Sequence, residues 1–106
     1  MTKPRVFVAA TLETSANAAN LPVFGELVPI YRNKPNFWSP TLEGDMLSRI
    51  EKLAFDPAVD FYAVSGIIPL SCIALALLVE QFGAIKVLLW DSNKHCYREK
   101  EIGGIC

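Results

Sequence analysis

Short apolar runs alternate along this chain with two longer segments of helical periodicity. The run Arg5–Leu12 is β-branched and apolar with almost no interruption, which is typical of a strand buried on both faces of a sheet. Shorter apolar runs cover 61–64 and 84–91, and residues 95–102 alternate between polar and apolar. We predict strands at all four places, the last at an edge because it carries several charges.

A second apolar stretch, Val23–Tyr31, contains Gly25 and Pro29. Proline cannot donate to a central ladder, so we predict an edge or irregular strand here. The preceding segment 13–22 is rich in Ser, Thr and Asn. That content predicts an ordered loop with room for a single helical turn.

Two segments have the pattern of helices. The first begins near Ser39 or Thr41, and its apolar residues recur at helical spacing: Leu42, Met46, Leu47, Ile50, Leu53 and Ala54. The second, Leu70–Phe82, follows Pro69, which suits a first helical turn, and ends at Gly83, a good C-cap. This helix is apolar nearly all round, so we expect it to be covered on every side, with Cys72 buried. The sheet can cover one side of the helix, and the other side is expected to meet another helix or a second copy of the protein.

The order of elements is thus β, loop, β, α, β, α, β, β. Strands that alternate with helices indicate a largely parallel sheet. We predict one small Rossmann-like α/β domain over 1–106, with about five strands, a C-terminal antiparallel edge strand and two main helices. Residues 102–106 are expected to form a flexible tail.

Composition and charge narrow the class of protein. The chain has 106 residues, is 52% hydrophobic and 20% charged, and can therefore build a core. Its 10 basic and 11 acidic residues give a net charge of −1, which argues against a protein that coats long nucleic acid. The apolar run 67–79 is shorter than the roughly 20 residues that span a bilayer, so we expect no membrane association.

Cysteine and histidine usage indicates compartment and chemistry. The three cysteines form no CxxC pair, and His95 is the only histidine. We therefore expect a reducing cytoplasm, no metal site and no cofactor. The N-terminus lacks the apolar region and cleavage site of a signal peptide.

Polar side chains gather where three predicted strands end, and the carboxyl ends of parallel strands are where open α/β sheets bind ligands. Ser65 and Gly66 lie between a strand and a helix, where free backbone N–H groups can face an anion. An exposed Trp38 in the connector could stack on a base. The candidate ligand-binding residues are Thr11, Thr14, Ser15, Asn17, Asn20, Trp38, Ser65, Gly66, Asp91 and His95.

Each of these residues also has a purely structural interpretation. Gly66 allows a tight turn, and Ser65 caps a helix. Asp91 can begin the turn "DSNK", and His95, at the start of the last strand, can be a solvated surface residue. Trp90 is expected to pack in the core or an interface. A Cys96–His95 hydrolase is disfavoured, because adjacent residues on a strand point to opposite faces.

The second half of the chain, about residues 61–101, resembles the small CRISPR-associated proteins of the ring-nuclease group. The resemblance rests on a strand ending in Ser65-Gly66, on Pro69 before an apolar helix, and on a strand ending in Asp91 before a hairpin. Ile67 and Ile68 stand where family members often carry a basic or glycine-rich continuation.

The resemblance implies a cytoplasmic homodimer that binds a cyclic oligoadenylate across its interface as part of CRISPR-linked antiviral signalling. Several members cleave the ring without metal, and this chain could do so or only bind. No residue is assigned as catalytic. The alternative is a non-catalytic protein–protein interaction module with a hydrophobic dimer interface, which would use the apolar helix and exposed aromatic side chains.

Overall fold

The computed structural model describes residues 3–10, 21–64 and 68–103. Five strands and three helices follow one another in this part of the chain. In chain order they are β1 (Arg5–Ala10), α1 (Leu21–Phe24), β2 (Glu26–Tyr31), α2 (Leu42–Leu53), β3 (Phe61–Ala63), α3 (Ile68–Phe82), β4 (Ile85–Asp91) and β5 (Cys96–Ile102).

The strands form one sheet in the order β2-β1-β3-β4-β5. The first four are parallel, and β5 pairs antiparallel with β4. The predicted fold class is therefore confirmed: a small, mostly parallel α/β domain with an antiparallel edge strand and two helices of more than one turn. β2 lies at the opposite edge, as Pro29 predicts, because an edge strand can spare one N–H donor. Ile102 of β5 pairs with Ile85 of β4, so Ile102 does not belong to the flexible tail that we expected over 102–106.

Each face of the sheet has its own core. On one face α2 packs against β2, and α3 packs against β1 and β4. The cluster that they form with the sheet contains Phe7, Met46, Tyr62 and Leu78, all with no exposed surface. The other face contains Val6, Val8, Ala63, Leu88 and Tyr97, with Phe24 of α1 and Leu27 packed against them. β1 is buried on both sides, as its uninterrupted apolar sequence predicts.

Within the single chain, helix α3 is covered on the side that faces the sheet, and cover of its remaining face by a second copy stays a prediction. Leu70, Ala74 and Leu78 are fully buried against the sheet. The opposite face exposes 58% of Ile68, together with Cys72 and Ala76. Cys72 is therefore not the buried residue we expected, because it lies on the solvent side of a helix whose apolar residues outnumber the positions that the sheet can cover. No helix in the described residues has the length and apolarity needed to cross a membrane.

Two polar contacts fix the helices relative to the sheet. Asp60 directly precedes β3 and has no exposed surface. Its carboxylate accepts hydrogen bonds from Arg5 N at 3.1 Å, Arg5 Nη2 at 2.9 Å and Asp56 N at 2.8 Å. Arg5 also donates to the carbonyls of Leu53 and Ala54 at the C-terminus of α2. The second contact joins β3 to α3: the buried Tyr62 hydroxyl donates a hydrogen bond to the Ser71 carbonyl at 2.8 Å.

Candidate functional site at the carboxyl edge

The carboxyl ends of β1, β3 and β4 lie at one edge of the sheet, because these strands are parallel neighbours. The order in which strands are added to the sheet reverses at β1: β2 lies on one side of β1, and the next strand, β3, lies on the other side. Such a reversal opens a crevice at the carboxyl ends in open α/β sheets. Helix α3 begins at this edge with Ile68, soon after β3 ends.

Asp91 ends β4 at this edge and is held by three donors. One carboxylate oxygen accepts the backbone N–H groups of Asn93 at 2.9 Å and Lys94 at 3.2 Å, and the other accepts Arg98 Nη1 at 2.9 Å. The hydrogen bond from Arg98 is the main cause that lowers the pKa of Asp91 below its usual value, and the Lys94 N–H contributes further. Asp91 is therefore ionised at neutral pH and is suited to holding a turn and an arginine, not to donating a proton.

The structural interpretation of Asp91 as the start of the "DSNK" turn is thus confirmed. His95 belongs to the same turn and not to β5, which begins one residue later at Cys96. Its φ of 54° is in the left-handed region, which allows the chain to close the hairpin. Its side chain is exposed, and Arg98 is the charged partner of Asp91. The structure therefore does not support an Asp91–His95 acid–base couple.

Trp90 precedes Asp91 and is more exposed than we expected. It is 38% exposed, and its ring meets that of Tyr97 edge-to-face at 5.2 Å between centroids. Within the single chain Trp90 is therefore not a core residue, and packing in an interface stays a prediction. Trp90 shares the Leu88 face of β4, whereas α2 and α3 cover the face that carries Ile85 and Val87. Trp90 therefore packs one part of its indole ring against Tyr97 and exposes another part to solvent.

A shallow cavity of about 460 Å³ lies along the β4–β5 hairpin at this edge. Its charged lining residues are two acids and two bases, so their formal charges cancel. Trp90 also borders the cavity, but its ring packs on Tyr97, on the face of the hairpin opposite Leu89 and Arg98. The lining residues are Leu89, Trp90, Asp91, Ser92, Arg98, Glu99 and Lys100.

Trp38 is exposed, as predicted, with 90% of its surface accessible. Trp38 lies in the connector after β2, where its backbone N–H donates a hydrogen bond to Asn36 Oδ1 at 3.0 Å. β1 and β3 separate β2 from β4, a distance of about 14 Å at the usual strand spacing. Trp38 and Asp91 therefore belong to the same edge of the sheet but to different ends of it.

The other candidate residues fall outside the described part of the chain. These are Thr11, Thr14, Ser15, Asn17, Asn20, Ser65 and Gly66. Of the ten candidates, the structure therefore brings Asp91 and His95 together in one turn.

Sequence reasoning missed Arg98, which neutralises Asp91. The signal was present in the hairpin: an antiparallel register that pairs Asp91 with Cys96 and Leu89 with Arg98 puts the acid and the base on the same face of the sheet. No protein-family profile, no curated protein and no solved structure matches the chain.

Proposed function

We propose that this protein binds a cyclic oligoadenylate, or a related nucleotide second messenger, at the carboxyl edge of its parallel strands, and that it does so as a homodimer. The observation that carries the proposal is the strand order, in which β1 and β3 are neighbours although β2 lies between them in sequence. In open α/β sheets this reversal marks the ligand-binding edge.

The side chains beside this edge favour a ligand recognised through its bases. Trp90 offers a partly exposed ring held in place by Tyr97. Stacking of one base on an aromatic side chain contributes about 1–3 kcal/mol. Because the formal charges of Asp91, Arg98, Glu99 and Lys100 cancel in this cavity, the aromatic surface is the more selective feature for a nucleobase.

Cleavage of the bound ring is a separate step. A metal-independent ring nuclease would align a ribose 2′-hydroxyl with the neighbouring phosphorus. The 2′-oxygen would form a bond to phosphorus, the 5′-oxygen would leave with a proton, and a linear product with a 2′,3′-cyclic phosphate would result. This chemistry depends on alignment more than on titratable groups. We assign no residue of this chain to it.

The test is incubation of the purified protein with cyclic tri-, tetra- and hexa-adenylate in EDTA. We expect the melting temperature to rise with one ring size, because a ligand that binds only the folded state stabilises it. Mass spectrometry then separates a nuclease, which releases linear products, from a sensor that returns the intact ring. No shift with any ring contradicts the proposal.

Tryptophan fluorescence locates the bound ring. The chain has 2 tryptophans, so Trp38→Phe leaves Trp90 as the single reporter, and we expect adenylate to quench it. Trp90→Ala should weaken binding about ten-fold or more, the equivalent of losing one stacked base. Val23→Ala, at a residue 83% exposed on α1, is the matched apolar control and should leave affinity unchanged. Ser65→Leu should abolish nucleotide binding while the protein still folds, and unchanged affinity would count against the proposal.

The second candidate function is a protein–protein interaction module. The exposure of Trp38 and Ile68, at 90% and 58%, favours it. In that case Trp38→Ala would release a protein partner in a pull-down with the purified partner, and no nucleotide would change the melting temperature. The fluorescence and melting measurements above therefore discriminate between the two functions.

A further inference from the structure

A second cavity lies on the far side of the domain, between edge strand β2 and helix α2. Its volume is about 380 Å³, which is within the range of small-molecule sites. Residues 28–33 form one wall. Arg49, Lys52 and Leu53 of α2 form the other. We call it the β2–α2 groove.

The groove is basic in a chain whose net charge is −1. Arg32, Arg49 and Lys52 line it, and the lining contains no carboxylate. Within the residues that the structure describes, neither Arg32 nor Lys52 forms an ion pair. Asp45 lies outside the lining and pairs with Arg49, so Arg32 and Lys52 supply the positive charge that is not compensated. A concave surface with an excess of one sign of charge attracts a counter-ion.

Arg49 is held in place before any ligand arrives. Its Nε donates to Asp45 Oδ2 at 3.0 Å, and its guanidinium lies 4.3 Å from the centre of the Tyr31 ring. The Tyr31 hydroxyl donates to the same Asp45 oxygen at 2.7 Å. A guanidinium fixed by stacking and by a carboxylate loses little further freedom when it binds an anion.

We propose that the β2–α2 groove binds a phosphorylated small molecule through Arg32, Arg49 and Lys52, at a site separate from the carboxyl edge. Three cations in one cavity fit a ligand with at least two phosphoryl charges, since arginine suits phosphate oxygens in a bidentate geometry. The lining residues Val28, Pro29 and Leu53 provide apolar surface for the rest of such a molecule.

An acidic peptide added to the sheet as a further strand is less consistent with this edge. Strand addition needs backbone donors along the edge, and Pro29, in the middle of β2, has no N–H. Proline on an edge strand discourages pairing with another chain. The geometry therefore favours a compact anion over an extended chain.

The probe is inorganic tripolyphosphate, titrated into the full chain at low ionic strength and followed by calorimetry and by backbone amide shifts. We expect saturable binding, with the largest shifts in residues 28–33 and 49–53. The double variant Arg32→Ala/Lys52→Ala should bind at least ten-fold more weakly. The matched control, Lys86→Ala/Lys94→Ala, removes the same charge from β4 and the turn that follows it, outside both cavities, and should change affinity less than two-fold.

Three results would overturn the proposal: no saturable binding by the wild-type protein, an equal loss in both double variants, or saturation by an acidic peptide but not by tripolyphosphate. Arg49→Lys keeps the charge but loses the planar stack, so it should weaken binding while the melting temperature of the ligand-free protein stays close to wild type. Quenching of Trp90 fluorescence by adenylate reports separately on the carboxyl edge. The variants of the β2–α2 groove should leave this quenching unchanged.

Discussion

Arg5 connects three parts of the chain through one side chain and its own backbone N–H. It contacts Asp60, which directly precedes β3, and the carbonyls of Leu53 and Ala54 at the end of α2. Asp60 has no exposed surface, whereas the Arg5 side chain is 26% exposed. Removing one member of such a pair leaves polar groups in the interior without partners.

We therefore expect Asp60→Ala to lower the free energy of unfolding by about 3–5 kcal/mol. Urea denaturation measures the change. Glu99→Ala removes an exposed carboxylate on β5 and should stay within about 0.5 kcal/mol of wild type. Equal stability of the two variants would mean that the Arg5–Asp60 contact does not hold the fold together.

Tyr31 gives a second prediction, in the alkaline range. Burial, with a smaller contribution from Asp45, raises its pKa to about 12. The unfolded chain releases this proton near pH 10, so the folded state holds more protons between the two values. By linkage, the stability that Tyr31 contributes is complete below about pH 10 and is lost as the pH rises towards 12.

Phenolate absorbance measures the Tyr31 pKa directly. Asp45→Asn removes a negative charge from the Tyr31 hydroxyl, so the pKa should fall, yet stay above its ordinary value because burial is the larger cause. Tyr31→Phe is the reference that identifies the transition, and it should lose less stability than wild type above pH 10. A Tyr31 pKa unchanged by Asp45→Asn would contradict the contact seen in the structure.

At the scale of elements, two glycines have opposite roles although a Cβ atom would meet no neighbouring atom within 4 Å at either. Gly44 lies within α2. Gly83 ends α3 with φ of 79°, and its N–H donates to the Val79 carbonyl at 2.8 Å. The difference between them is therefore one of backbone conformation alone.

Gly44→Ala should stabilise the protein by about 0.5–1 kcal/mol, because alanine is the better helix former. Gly83→Ala should cost about 1–2 kcal/mol, since an L side chain is strained in the left-handed conformation. Thermal unfolding of both variants measures the pair. A destabilised Gly44→Ala variant would show that this helix start is not as regular as the structure has it.

Local patterns predicted the elements well, and failures came where distant parts of the chain decide. The spacing of Leu42, Met46 and Ile50 gave both the existence of α2 and its buried face. For α3, an apolar sequence on every side cannot say which face meets the sheet, so Cys72 was placed wrongly. Asp60 looked like an ordinary loop residue because its partner, Arg5, is 55 residues away.

The candidate site was less predictable than the fold. The carboxyl edge follows from the alternation of strands and helices, and Asp91 could be read as a turn residue from its neighbours. Trp90 could not be placed, because the sequence of a strand does not say which of its two faces the helices cover. The β2–α2 groove was invisible for a similar reason: Arg32 and Lys52 are ordinary surface charges until the strand and the helix are packed side by side.

At the scale of the whole molecule, the uncovered face of α3 bears on the proposed homodimer. Ile68, Cys72 and Ala76 are spaced four apart and lie on one exposed side of the helix. We expect light scattering to show a dimer that Ile68→Glu or Ala76→Glu converts to monomer. Glu101→Lys, an exposed change on β5, is the charge-altering control and should leave the dimer intact.

Cysteine oxidation tests which face the two copies share. If α3 packs against its copy through this stripe, mild oxidation should give a disulfide-linked dimer that forms in Cys96→Ser but not in Cys72→Ser. A dimer that is insensitive to all of these changes would place the interface elsewhere. A monomer at all concentrations would contradict the dimer itself.

The central position of β1 also affects how fast this domain can fold. β4 and β5 meet through a four-residue turn, so their hairpin needs little loop closure. The pairing of Val6 with Phe61 must instead bring together residues that are 55 positions apart in the sequence, the same separation as between Arg5 and Asp60. Contacts of such long range slow folding. We therefore expect formation of the β1–β3 pairing to limit the folding rate, so that the proposed ligand-binding edge is assembled late.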